Sequence, residues 1–133
     1  MEAKLKHLEI IQGVISRMAN NSFLLKGWSV ILVSALFALA AKDTNKLYIY
    51  LAYFPCLLFW ILDGYFLWQE KLYRKLYDKV RALDNSVIDF SMDTSPVIKE
   101  VNAWTDVIFS KTLILFHGVI ILTILLVMFI AII

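Results

Sequence analysis

Charge is scarce in this chain and unevenly placed: 18% of its 133 residues are charged, and none of these lies between Leu113 and Ile133. With 61% hydrophobic residues, a chain of this size has more apolar surface than a single soluble core could bury, so the expected solvent is a lipid bilayer. Cysteine is nearly absent. Cys56 stands alone, which excludes a disulfide framework and a thiolate metal cluster and leaves it as a small apolar residue within a hydrophobic run. There is no glycine-rich phosphate loop, no histidine pair at helical spacing, no Cys/His cluster and no Ser/His/Asp order that would support nucleophilic catalysis. Asp84, Asp89 and Asp93 lack the ligand spacing of a calcium loop. No catalytic activity, cofactor or metal is therefore expected. A net charge of only +2 gives no bulk attraction to nucleic acid. The first twenty residues lack a signal-peptide pattern, because Lys4, Lys6, His7, Glu9 and Arg17 alternate with apolar positions where a continuous apolar core would be required.

The apolar residues are gathered into three runs, 23–41, 47–68 and 112–133. Each is close to the ~20 residues with which one helix crosses a hydrocarbon layer roughly 30 Å thick. The expected fold is thus an all-α integral membrane protein in one domain, with three transmembrane helices and cytoplasmic helical extensions that form a small bundle. The last run carries the chain into, or to the far face of, the membrane. Lys4, Lys6 and Arg17 precede the first run and Lys26 lies at its start, and Lys71, Arg74, Lys75, Lys79, Arg81, Lys99 and Lys111 lie between the second and third, against only Lys42 and Lys46 in the first connection. By the positive-inside rule the N-terminus and the segment 69–111 face the cytoplasm, and the turn at 42–46 and the C-terminus face outward.

Leu5, Leu8, Ile11, Ile15 and Met18 recur at three- and four-residue steps and predict an amphipathic cytoplasmic helix over 1–22. Asn20, Asn21 and Ser22 offer caps at which the chain could bend before the first span. The polar turn from Lys42 to Lys46 is short enough to force an antiparallel helical hairpin, in which residues of equal depth have numbers summing to about 88. That register sets Lys26 beside Asp63 and Trp28 beside Trp60. Pro55 should kink the second helix slightly. Beyond Trp68, the residues Leu72, Leu76, Val80 and Leu83 carry the helix about four more turns. A loop is expected over 84–95, with Ser95 and Pro96 starting a new helix. The stripe Val97, Val101, Trp104 and Ile108 then leads directly into the third span.

Asp63 is the sharpest single feature, because a carboxylate inside a span costs several kcal/mol unless it is hydrated, paired or neutral. Counted along the helices, Asp63 lies about 7.5 Å inside the second run and His117 about 9 Å inside the third. Lys26, Asp63 and His117 therefore form a candidate intramembrane polar cluster. It reads as an ion pair that locks the helices, as a ring lining a pore in an assembly of copies, or as a proton relay. Trp28, Tyr48, Tyr50, Tyr53, Tyr65, Phe66, Trp68 and Trp104 gather towards span ends as headgroup anchors. On the cytoplasmic extension, Arg74, Asp78 and Arg81 mark a solvated face open to a protein partner.

An amphipathic helix, a tight two-span hairpin introduced by Lys26-Gly27-Trp28, and a long charged helix leaving the second span around Leu67-Trp68-Gln69-Glu70 together resemble the SLATT class of small bacterial membrane proteins. The likeness covers about Leu5 to Arg81, and the third span departs from it. The resemblance implies a membrane-perturbing effector in antiviral defence, controlled by a cytoplasmic sensor or signal partner. The reading that results is an oligomeric bacterial inner-membrane protein, a pore-forming or permeabilising effector in contact with lipid, with copies of itself or with a larger complex. The alternative is a non-conducting anchor or accessory subunit that recruits a soluble complex.

Overall fold

The computed structural model describes residues 2–43 and 46–132, and among these every regular element is helical. The elements are α1 (Glu2–Asp43), α2 (Leu47–Leu51), α3 (Tyr53–Ala82), α4 (Trp104–Ile108) and α5 (Lys111–Ile132), with 3₁₀ turns at Asn85–Val87 and Ser95–Glu100. Three stretches, Glu2–Lys42, Leu47–Ala82 and Lys111–Ala131, are helical, long and apolar enough to cross a membrane. Thr44 and Asn45, in the middle of the expected tight turn, lie outside the described residues, as does Ile133.

The expected bend at Asn20 to Ser22 does not occur: α1 is one helix of 42 residues. Ser22, which could have capped a new helix, turns its hydroxyl across the hairpin to Asp63 and accepts a hydrogen bond from Lys26. The buried positions Leu8, Ile11, Ile15, Ser22, Leu25, Ser29 and Val33 keep a three- and four-residue rhythm through the supposed break. A single face therefore serves the whole length. At the start of the same stripe Leu5 is 57% exposed, so the packed face begins one turn later than the sequence pattern suggests.

Pro55 acts where expected. It has no N–H for the carbonyl of Leu51, and the helical ladder is interrupted at Ala52 between α2 and α3. Ala52 keeps helical dihedrals (φ −65°, ψ −25°), and its own carbonyl accepts from Cys56 N–H at 3.3 Å, so the interruption is a local defect and the chain continues in the same sense. Past Trp68, α3 runs on to Ala82, and Leu83 then leaves in an extended conformation. Lys4 closes this end by donating from Nζ to the carbonyls of Arg81 (3.0 Å) and Leu83 (2.8 Å), a cation placed on the negative pole of the helix.

The segment 96–111 departs most from expectation. In place of a helix leading directly into the third apolar run, the chain makes the 3₁₀ turn Ser95–Glu100, extends at Val101 (φ −121°, ψ 144°), forms the single short helix α4, and breaks again at Phe109 before α5. Thr94 precedes the turn in the cap position that Ser95 was expected to fill. The cause is contact with α3. A Cβ on Gly64 would lie 2.6 Å from Ile108 Cγ1 and 3.3 Å from Ile108 Cα, so α4 lies almost backbone to backbone on α3 at the one position without a side chain.

α1 and α3 form the main antiparallel contact, α5 packs on α3 and α2, and α4 packs on α3. Two apolar cores result. One joins Leu8, Ile11, Ile15, Leu76, Val80 and Val97 in the polar half of the molecule. The other joins Val33, Ile49, Ala52, Cys56, Ile120 and Ile124 in the apolar half.

In the connection between α3 and α4, short polar side chains make the turns. Asp84, Asp89 and Asp93 each accept from the backbone N–H two residues on. The Ser95 backbone N–H, aided by its hydroxyl, holds the Asp93 carboxyl below the usual carboxylate range.

Candidate functional site

Between the two cores lies a polar layer. α1 contributes Ser22 and Lys26 one turn apart, α3 contributes Asp63, and α5 contributes His117. Lys26 Nζ is 2.7 Å from Asp63 Oδ2, His117 Nε2 is 2.8 Å from the same oxygen, and the Ser22 hydroxyl donates to Asp63 Oδ1. Lys26 also donates to Ser22 Oγ at 2.9 Å. Two helices, α1 and α5, thus place three donors on one carboxylate of α3, and the shortness of the connection between Asp43 and Leu47 limits the register to one that brings Lys26 and Asp63 level. Asp63 and His117 have no exposed side-chain surface, whereas Lys26 retains 21%. Lys26 is therefore the one member of this triad that reaches the outside of the bundle, with its ammonium 5.9 Å from the centre of the Phe116 ring.

The carboxylate only accepts hydrogen bonds, so His117 donates to it from Nε2. Among the described residues His117 Nδ1 is buried with no partner, and so is the hydroxyl of Ser29, one turn beyond Lys26. Aromatic rings wall the imidazole. Trp60 stacks on it (centroids 5.7 Å apart, planes 8° apart) and Phe116 meets it edge-on at 5.0 Å. Trp60 also donates from Nε1 to the carbonyl of Ile108 at 2.8 Å, while Trp104 in α4 donates to the carbonyl of Ile61 at 3.3 Å. These reciprocal indole bonds clip α4 to α3. Trp104 stacks on Trp68 as well (6.3 Å, 14°) and meets Tyr65 edge-on at 5.5 Å, so part of the expected aromatic belt is a packed cluster. Trp28, expected beside Trp60, is 51% exposed, and Trp60 turns towards α4 and α5.

Ser22, Trp60, Phe116 and Gly64 belong to this layer without having been singled out from the sequence for it. Ser22 is four residues before Lys26 and Trp60 three before Asp63, the spacings that share a helix face. Those spacings were the available signal. Gly64 offered none, because its role depends on where α4 arrives.

Arg74, Asp78 and Arg81 lie together on the exposed side of α3. They are not free charges: Arg74 bonds Glu70 through Nη2 at 2.8 Å and Nε at 3.2 Å, and Arg81 Nη2 is 3.8 Å from Asp78. Among the described residues, no group of three or more His, Cys, Asp or Glu side chains is placed to hold a metal ion. What the polar layer offers chemically is a fixed ion pair with an attached imidazole, enclosed between long apolar helices. Comparison with family models, with curated proteins and with solved structures finds no match to this chain.

Proposed function

We propose that the chain is a three-span protein of a bacterial inner membrane, with its N-terminus and the 69–111 segment in the cytoplasm and its C-terminus outside, and that it acts as an oligomeric permeability effector under the control of a cytoplasmic partner. The observation that carries this reading is the enclosure of Lys26, Asp63 and His117 between three helices of membrane-spanning length. Ionisable groups at such depth are expensive, and in membrane proteins they concentrate on ion paths and gates. Because the Asp63 carboxylate finds all three of its donors within one copy, the resting form is closed on this reading, and activity requires the triad to separate or to turn towards a neighbouring copy. Large apolar side chains exposed on α1 and α5, among them Phe23, Ile31, Leu115, Leu122 and Phe129, supply surface for lipid and for such copies. The resemblance to SLATT proteins over Leu5 to Arg81 favours the same reading and adds antiviral defence as its setting.

The test is dissipation of a potassium diffusion potential in proteoliposomes, read with a potential-sensitive dye. Triggered or overexpressed protein should collapse the potential, and Asp63→Asn or His117→Gln should change the leak without preventing insertion. An unchanged potential alongside full biological activity would refute the proposal.

One observation favours a second reading, that of a non-conducting anchor for a soluble complex. The exposed side of α3 and the neighbouring 3₁₀ turn form a surface of mixed charge around a cavity of about 370 Å³ lined by Lys75, Asp78, Lys79, Pro96 and Glu100, a character suited to a protein partner. On that reading no leak appears at any expression level, and charge reversals at Arg74, Asp78 and Arg81 abolish activity.

A further inference from the structure

The end of the polar half farthest from the apolar runs contains a cavity of about 290 Å³ between the first turns of α1 and the segment after α3, lined by Ala3, Lys6, His7, Ile10, Phe90 and Met92. We infer that this cavity binds a small soluble amphiphilic anion, with an aromatic or short aliphatic body and a carboxylate or phosphate head.

Its lining sorts into two parts. Ala3, Ile10, Phe90 and Met92 supply apolar walls, and Ile10 and Phe90 are each 50% exposed, an arrangement with no use in a solvated helical extension unless something covers it. The polar members are Lys6 and His7, and no acidic side chain lines the space. Among the described residues Lys6 is engaged only with Glu9 at 3.7 Å, with both side chains 73% exposed, a pair weak enough to exchange for a bound anion. His7 is only 4% exposed, and its Nε2 has no hydrogen-bond partner among the described residues; the atom is covered at rest, so a ligand oxygen would complete it once the Phe90 ring that lies against the imidazole moves aside.

Phe90 supplies the second, independent observation. It is the only non-glycine residue at positive φ (60°) among the described residues, a conformation unfavourable for a bulky side chain. The Asp89 side chain accepts from Ser91 N–H at 3.0 Å and fixes the backbone on both sides of it. This held conformation stands the Phe90 ring edge-on to His7, with centroids 5.6 Å apart and planes 81° apart. A strained backbone held where it sets an exposed aromatic ring against a buried imidazole is the second observation behind the inference. The cavity's distance from the apolar run, about 24 Å along α1 from His7 to Phe23, favours a soluble occupant over a lipid held at that run. The inference does not rest on the permeability reading, and either survives the failure of the other.

The chain has two histidines, His7 and His117, so the full-length protein labelled at histidine, in neutral phosphatidylcholine nanodiscs, carries its own control. Benzoate and phenyl phosphate should shift the His7 imidazole resonances saturably and leave those of His117 in place. Benzyl alcohol and benzylamine should be much weaker. Lys6→Met, a surface change whose folding is verified by an unmoved His117 signal, should weaken benzoate binding about tenfold through loss of one charge-assisted contact. Equal binding of the neutral and cationic probes, no saturable shift at millimolar benzoate, or a His7 shift on adding phosphatidylglycerol alone would each overturn the inference.

Discussion

Removing Lys26 should destabilise the protein more than removing its partner Asp63. The two side chains are 2.7 Å apart, but Asp63 is fully buried while Lys26 keeps 21% of its surface. Lys26→Leu strands a buried carboxylate with the Ser22 hydroxyl and the His117 imidazole as its remaining donors, and breaking a buried pair in this way costs about 3–5 kcal/mol. Those two remaining donors put the expected loss near the lower end, about 3 kcal/mol. Asp63→Leu strands an ammonium on a flexible four-carbon stem that already reaches the surface and can swing towards water or headgroups, so its loss should be about 1–2 kcal/mol. The double variant has no charge to strand and should lose less than the sum of the two by about 2 kcal/mol. Reversible unfolding in mixed micelles, run as a double-mutant cycle, measures all three values. Additivity within about 0.5 kcal/mol, or a larger loss for Asp63→Leu than for Lys26→Leu, would refute the assignment of Lys26 as the countercharge of a buried carboxylate.

Gly64→Ala should cost about 1–3 kcal/mol, because its Cβ meets Ile108 Cγ1 at 2.6 Å, and the combination with Ile108→Ala should recover part of the loss in the same unfolding assay; no recovery would mean that the backbone approach at Ile108 Cα governs. For topology, Lys46→Cys and Asp89→Cys, each in a Cys56→Ala background, should label oppositely with an impermeant thiol reagent in intact cells, Lys46→Cys being the reactive one. Labelling of Asp89→Cys alone would invert the orientation.

Local pattern carried far in this chain where a helix was long and its partner was fixed by a short connection. The three apolar runs, the continuation of α3 past Trp68 and the interruption at Pro55 are all legible from composition and period. So is the meeting of Lys26 with Asp63, because so short a connection between Asp43 and Leu47 leaves little freedom of register. What escaped was set by tertiary contact. Ser22 has the chemistry of a cap, yet a buried carboxylate across the hairpin outbids the local backbone for its hydroxyl. The stripe from Val97 to Ile108 has a helical period, but Val97 and Val107 are buried by a 3₁₀ turn and a separate short helix. A three- to four-residue spacing does not distinguish these from one continuous helix.

Besides α1 and α3, which run through both halves of the molecule, α4 links the segment after α3 to the polar layer, which bears on the choice between effector and anchor. Trp60 lies flat on His117 and holds the Ile108 carbonyl, while Trp104 of α4 holds the Ile61 carbonyl. Any event in the polar half that withdraws the connection after α3 must break both indole bonds and lift Ile108 from Gly64. That removes support from Trp60 and uncovers one face of the imidazole that bonds Asp63. Under the effector reading this is the route from a partner to the triad, so Trp60→Phe, which keeps a ring but deletes the donor, should raise the untriggered leak in proteoliposomes. The stability cost of one indole hydrogen bond, about 1 kcal/mol, is too small to unfold the bundle, so unchanged insertion and helix content should accompany the leak. Under the anchor reading the same substitution loosens α4 with no leak at all. A variant whose α4 is measurably more mobile by hydrogen exchange, yet whose vesicles hold their potential like the parent protein, would rule out α4 as the link between the polar half and a gate.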